Sequence, residues 1–330
     1  MILITGGLGF IGTHTARALL DLGESVVLVQ RRAPEVPAPL AGEGEGRLVV
    51  ERADITDRAA LLALGDRHKI TGIVHLAGSM PWPVGAHEPV EGVEKSVASL
   101  LNVFHAATEW QVSRLGLAST IGVYGGVEAP SPLAEDLPLT MSAGHPIPTF
   151  KKIGELMAGH LAETAGLEVV NLRIGAIWGP LGHARSPFFL LPQLVHAAVQ
   201  GAVQGAVQGA APDPTSPAWG AHAGDGGDLC YVKDCGRAIA LLQTAERLRH
   251  RTYNVATGRM TTNGEVAAAI RRAVPGADVE LREGRDPAGP GRDLCLDVTR
   301  LREDTGFEPA YDTGSGIADY VSWLRAGNAR

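Results

Sequence analysis

ILITGGLGFIGTHTARALLDLG, residues 2–23, decides how the rest of the chain is read. Four residues of strand character run into a turn with glycines at every third position, and apolar residues at helical spacing follow. Glycine at such a turn permits a tight reversal, lets backbone approach a pyrophosphate, and lets helix and strand pack closely. A purely structural turn is the plainer alternative. The placement between strand and helix points instead to a dinucleotide site floored by Gly6, Gly9, Phe10, Ile11 and Gly12.

Outward from that turn, short apolar runs alternate with helical patterns. Strand candidates are 2–5, 25–30, 47–54, 72–78, 114–120 and 167–175, with helices over 10–22, 57–69, 90–109 and 150–165. Such alternation implies crossover units on a parallel sheet covered on both faces. The expected fold is α/β, a Rossmann-type doubly wound parallel sheet over residues 1–175, with a smaller substrate-binding cap over 176–330. Segments near 229–257 are left free to rejoin the main sheet on this reading. A helix near 187–209 would carry the repeat AVQGAVQGAVQG (198–209), which reads either as a lid or as a neutral duplication.

Composition narrows the function. The 330 residues are 45% apolar and 20% charged with net charge −7, and basic residues are scattered, so nucleic acid is not an expected partner. No apolar run reaches membrane-spanning length and the N-terminus lacks a leader pattern, so a cytoplasmic protein with a small-molecule substrate is expected. Three cysteines and 11 histidines show no metal-ligand spacing, and no metal is expected. Oligomeric state is left open.

The end of the second strand bears on which dinucleotide binds. A carboxylate there would accept from the ribose hydroxyls of NAD and repel the 2′-phosphate of NADP. Gln30 is followed instead by Arg31 and Arg32, whose guanidiniums suit a phosphate, so NADPH is the expected cofactor and NADH a weaker one.

Further motifs join the first. TGGLGFIG (5–12), ADITD (53–57), HLAG (75–78), RIGAIWGP (173–180), YVKDCGRA (231–238) and YNVATG (253–258) together resemble the extended short-chain dehydrogenase/reductase family, in order over essentially the whole chain. The resemblance implies that Asp54 and Ile55 flank the adenine, that Leu76, Ala77 and Gly78 pass the cofactor ribose, and that Gly175 also lies at the cofactor. It also implies that Met80 and Trp82 face the substrate.

The family's catalytic pattern is incomplete. STIGVYG (119–125) supplies Thr120, and Lys151 supplies the lysine, four residues before Glu155. The tyrosine expected four residues before the lysine is replaced by Ile147, or by Pro148 if Lys152 is the counterpart. No Tyr-xxx-Lys exists: four residues beyond the five tyrosines stand Glu128, Cys235, Thr257, Ser315 and Leu324. Ser96 stands where the family has asparagine, and is a candidate beside Thr120 and Lys151 for catalysis. His145 and Ile147 are candidates for substrate contact.

Three functions follow as expectations. The first is an NADPH-dependent ketoreductase in which the substrate's own phenol assists protonation; that the ketone is an angucyclinone-type aromatic polyketide is implied only by resemblance to atypical reductases of this family that lack the tyrosine. The second is a nucleotide-sugar epimerase or dehydratase, which needs a base to start. The third is a non-catalytic NADP-binding sensor.

Overall fold

The computed structural model describes residues 1–31, 35–44, 46–78, 89–184, 186, 189–201, 222–289 and 294–328. In the first half β1 (Ile2–Thr5), β2 (Val26–Gln30), β3 (Leu48–Arg52), β4 (Gly72–His75), β5 (Arg114–Thr120) and β6 (Val169–Ile174) alternate with helices. These are α1 (Phe10–Asp21), α2 (Arg58–Arg67), α3 (Pro89–Glu109) and α4 (Pro146–Thr164). Then come β7 (Ala176–Trp178), α5 (Leu191–Gln200), β8 (Gly226–Gly227), β9 (Leu229–Tyr231), α6 (Val232–Thr244) and β10 (Thr252–Val255). The described chain closes with β11 (Thr261–Thr262), α7 (Asn263–Ala273), α8 (Thr299–Thr305) and α9 (Thr313–Arg325).

Seven strands form one sheet in the order β10-β6-β5-β4-β1-β2-β3, every pair parallel. The strands read as unbroken apolar runs because both faces are covered. Ile2, Ile4, Val26 and Leu28 enter one core cluster, while Leu3, Val27 and Val29 enter the other. Successive side chains point to opposite faces, so one strand feeds two cores. Leu3, Ile4 and Leu28 are fully buried, and burying each such side chain is worth about 2–3 kcal/mol. This is the doubly wound architecture expected from the alternation.

The strand order reverses at β1, which has β4 on one side and β2 on the other. The crevice of a doubly wound sheet opens at that point, beyond the strands' carboxyl ends. Thr5 and His75, the last residues of β1 and β4, stand in register there.

Gly175 follows β6, and β7 then leaves the main sheet to pair with β9. A third core cluster, around Trp178, Leu194, Tyr231, Ile270 and Tyr320, draws only on residues beyond 175. The second half nevertheless contributes to the main sheet as well. β10 pairs with β6, and Cys235, Ile239, Leu296 and Phe307 belong to a core cluster of the main sheet. Gly236 is part of the reason, since a Cβ there would fall 2.5 Å from the His14 carbonyl carbon, so α6 can press against α1.

Two helix boundaries differ from expectation. α4 starts at Pro146 rather than 150, with His145 as N-cap: its side chain accepts from the Ile147 amide at 3.3 Å. Proline is favoured at the first helical position because its missing N–H has no partner there anyway. α5 ends at Gln200, and Gly201 closes it in the left-handed region at φ 71°, a conformation glycine adopts freely. The expected helix to 209 therefore stops inside the first AVQG copy, and residues 202–209 lie outside the described part.

Candidate active site

The glycine turn is shaped by close approach. Gly6 has φ +70°, and a Cβ on it would fall 3.1 Å from the Ala77 backbone. A Cβ on Gly12 would sit 2.2 Å from the Gly6 carbonyl oxygen, which only a bare glycine allows. Gly9 is the N-cap of α1 and offers no side chain to its first amides. Phe10, Ile11 and Gly12 thus begin a helix whose N-terminal N–H groups and positive dipole end face the crevice, a cradle for a pyrophosphate. Gly7 shares the task, because a Cβ there would fall 2.8 Å from Leu28 Cδ2. Its role was invisible in the sequence, since it depends on a contact with β2. The residues present fit a nicotinamide dinucleotide.

Beyond the pyrophosphate cradle, Arg31 is exposed just after β2; Arg32 lies outside the described residues. Asp54 accepts from the Thr56 amide at 2.9 Å and hydroxyl at 2.8 Å. Burial pushes the Asp54 pKa up, but these bonds and the nearby Arg31 and Lys95 charges hold it below the ordinary carboxylate value. Ile55 is buried, and Asn102 on α3 donates to the Ile55 and Thr56 carbonyls, each at 3.0 Å. Asn102 therefore fixes the loop expected at the adenine, a role the sequence reading did not assign.

After β4, Leu76 N donates to Thr5 O at 3.2 Å and Ala77 N to Thr5 Oγ1 at 3.2 Å. Thr5 Oγ1 also meets His75 Nδ1 at 2.7 Å. Leu76 and Ala77 are thereby pinned alongside Gly6, and Gly78 follows exposed. Met80 and Trp82, expected at the substrate, lie outside the described residues. Gly175 turns toward β10, its amide donating to Val255 O at 3.0 Å.

Thr120 ends β5 and caps the 3₁₀ turn Ile121–Tyr124, its Oγ1 accepting from Gly122 N at 3.2 Å. Its own proton is left to donate elsewhere. Pro148 packs on this turn: a Cβ on Gly122 would fall 2.8 Å from Pro148 Cγ. Ile147, half-buried, stands beside it in the first turn of α4.

The two lysines divide their work. Lys152 Nζ donates to Thr140 O at 2.5 Å and Ser142 O at 2.8 Å, anchoring the loop before α4. Lys151 makes no hydrogen bond among the described residues and approaches His75. Burial pushes Lys151 down to about 8. Burial, and then the Lys151 charge, pushes His75 down to about 3, keeping it neutral. Of the two lysines, Lys151 is thus the one left unbonded among the described residues, and Ile147 lies one helical turn before it in α4. Ser96 Oγ on α3 is buried without a partner among the described residues.

Beneath these groups lies a polar network. Glu155 accepts from Ser119 Oγ at 2.5 Å and from Arg173 Nη2 at 2.7 Å. Arg173 Nη1 donates to the Tyr124 hydroxyl at 2.9 Å, which donates to Asn254 Oδ1 at 2.8 Å. The tyrosine of VYG, the arginine of RIGAIWGP and the asparagine of YNVATG are thus braces under the site. The other phenols are also placed away from it. Tyr231 bonds Asp319, Tyr253 bonds Asp304, and Tyr320 bonds His196. Tyr311 packs at a tilt against Tyr231 with ring centroids 4.7 Å apart.

With cradle, braces and lysine in place, comparison with known proteins is decisive. Residues 2–256 match the model of the NAD dependent epimerase/dehydratase family. The chain belongs to that family. Among its curated relatives, a dTDP-glucose 4,6-dehydratase of Streptomyces griseus is 29% identical over 98% of this chain and 93% of its own length. A UDP-glucose 4-epimerase of Azospirillum brasilense is 27% identical over 98% and 92%. Among solved structures, the Thermus thermophilus UDP-glucose 4-epimerase in complex with NAD superposes with TM-score 0.72 at 25% identity, covering 98% of both chains. The UDP-glucose 4-epimerase of Thermotoga maritima with UDP-glucose shares the fold, with TM-score 0.78 at 22% identity over 99% of both. The chain is thus an enzyme-family member with a dinucleotide fold. Among the described residues no helix is long and apolar enough to cross a membrane.

Proposed function

We propose that this family member works as a nicotinamide-dinucleotide-dependent carbonyl reductase, with NADPH preferred. The observation that carries the reading is Ile147, one helical turn before Lys151, with all five phenols of the chain engaged or packed elsewhere. A bound nicotinamide dinucleotide supplies the hydride. Oxidising an alcohol first requires a base to take its proton, and an isoleucine takes none. Reduction leaves an alkoxide, which the Lys151 ammonium stabilises by charge while Thr120 Oγ1 donates to the carbonyl oxygen. A positioned acid contributes about 10²–10⁴-fold, so its loss slows reduction without removing the rest of the enhancement. A ketone already hydrogen-bonded to its own neighbouring hydroxyl recovers part of that factor.

The substrate class has two candidates. The relatives' names, a dTDP-glucose dehydratase and UDP-glucose epimerases, support a nucleotide sugar, with epimerase or dehydratase chemistry as the second reading. They support it better than an aromatic polyketide ketone, which rests on resemblance to tyrosine-lacking reductases of the family and on no residue of this chain. The NADP preference rests on Arg31 after β2; the relatives' solved complexes carry NAD.

The test follows nicotinamide absorbance while the purified chain meets two panels, hydroxyaryl ketones with NADPH and UDP- or dTDP-sugars with NAD. Turnover of ketones alone supports reduction. Conversion of a nucleotide sugar to its epimer or dehydrated product would replace that reading with the second, and tight dinucleotide binding without either would leave a sensor.

A further inference from the structure

Three side chains of the second half converge, two of them with polar atoms unaccounted for. His222 Nδ1 and Asp225 Oδ2 face each other at 4.0 Å. Asp286 adds a third donor atom, and the three lie within 4.8 Å of one another. His222 is 9% exposed and Asp225 8%, and among the described residues neither His222 Nδ1 nor Asp225 Oδ2 has a hydrogen-bond partner. Buried polar atoms in native interiors are satisfied as a rule, so two orphans aimed at each other call for a ligand between them.

The surrounding backbone is assembled to hold them. Ala223 N donates to Arg282 O at 2.8 Å and Gly224 N to Gly284 O at 2.7 Å, so the turn is laced to the loop that bears Asp286. Asn263 Nδ2 donates to His222 O at 3.0 Å, and Asn263 N to Asp225 O at 2.7 Å. Asp286 N donates to Asp225 Oδ1 at 3.2 Å, with Arg285 Nε 3.9 Å from the same oxygen. One oxygen of Asp225 is thereby committed, and Oδ2 is left facing the imidazole.

We propose that His222, Asp225 and Asp286 form a divalent metal site. One imidazole nitrogen and two carboxylate oxygens suit a borderline cation such as Zn²⁺. Metal–ligand bonds of about 2.0–2.2 Å place neighbouring donor atoms roughly 3.4 Å apart, so the cluster closes on the ion by small side-chain rotations. Three protein ligands leave a coordination position for water. The ion ties the turn 222–225 to the loop bearing Asp286.

The test uses the untagged full chain, stripped with a chelator and dialysed against Zn²⁺. One tight ion per chain is expected, with a rise in melting temperature. Asp286→Asn, nearly isosteric and at a partly exposed position, and His222→Gln should each weaken binding by at least about tenfold and lose the thermal shift. If the variants do not fold, the X-ray absorption spectrum of the zinc-loaded parent decides: a nitrogen and oxygen shell supports the site. A sulfur shell would move the zinc to the cysteines and overturn it. Stripped parent that binds no Zn²⁺, or variants that bind it as tightly as the parent, would leave a water-bridged histidine–aspartate contact instead.

Discussion

Arg173 on β6 grips Glu155 on α4 from two nitrogens, Nε at 3.0 and 3.2 Å from the two carboxylate oxygens and Nη2 at 2.7 Å. Both side chains are nearly buried, 6% and 10% exposed. Glu155 lies one helical turn beyond Lys151, so the pair sets the angle at which α4 presents its lysine. Removing one partner strands the other charge in the interior, which costs about 3–5 kcal/mol. Arg173→Met should lower urea-denaturation stability by about that amount and weaken dinucleotide binding. A loss under about 1 kcal/mol, the scale of an exposed pair, would show that the network does not brace the helix.

Gly12 and Gly159 make opposite predictions for one substitution. Alanine at 12 puts a methyl 2.2 Å from the Gly6 carbonyl oxygen, so the turn must open and the pyrophosphate cradle is lost. Alanine at 159, inside α4, meets nothing within 4 Å and should stabilise by up to about 1 kcal/mol through helix propensity. Fluorescence titration with NADPH and thermal melts check both. Unimpaired binding by Gly12→Ala would remove the cradle from the site.

These two sites also show what the sequence could display. The β1 turn was legible because strand, glycine spacing and helix all lie within 23 residues. The Glu155–Arg173–Tyr124–Asn254 network draws on four separate elements, so its members were visible as motif residues but their pairing was not. The sequence left both Lys151 and Lys152 open as the lysine's counterpart, and it could not display that Lys152 reaches back to Thr140 and Ser142, a contact made only in the fold. Two prolines around Ile147 read as loop, yet one of them begins α4. Gly7 and Asn102 escaped notice because each acts on a segment distant in sequence.

Lys151 makes stability depend on alkaline pH. Its pKa is about 8 in the folded chain against 10.5 for an ordinary lysine. Between those values the unfolded chain binds the extra proton, so unfolding becomes harder as pH rises through the window. Urea midpoints should therefore climb over that range relative to Lys151→Met, which lacks the titration. Reduction should move the other way, falling as pH rises through about 8, because the alkoxide loses its neighbouring charge. A pH–rate profile unchanged by Lys151→Met would remove the lysine from the chemistry.

Arg31 stands exposed just after β2, where a carboxylate would repel a 2′-phosphate and an arginine can bind one. Arg31→Ala should weaken NADPH by roughly tenfold, the scale of one charge-assisted hydrogen bond of about 1.5 kcal/mol, and leave NADH nearly unchanged. Calorimetric titration of both cofactors measures it. Equal affinities in the parent would end the argument for NADP.

Ile147→Tyr restores a phenol one turn before Lys151, at a half-buried position beside Pro148 and the turn that Thr120 caps. With a ketone that lacks a neighbouring hydroxyl, the parent has no phenol to donate, and the variant should gain about 10²-fold or more in turnover. With a ketone hydrogen-bonded to its own hydroxyl the gain should be much smaller, since the substrate already supplies that interaction. Thr120→Ala should slow the parent modestly on both. Lys151→Met in the tyrosine background should erase most of the gain, because the ammonium favours the phenolate left after proton transfer. Steady-state rates on the paired ketones, with NADPH affinity measured alongside, decide the matter: a variant that binds cofactor normally and gains nothing on either ketone would mean that residue 147 does not face the reacting carbonyl.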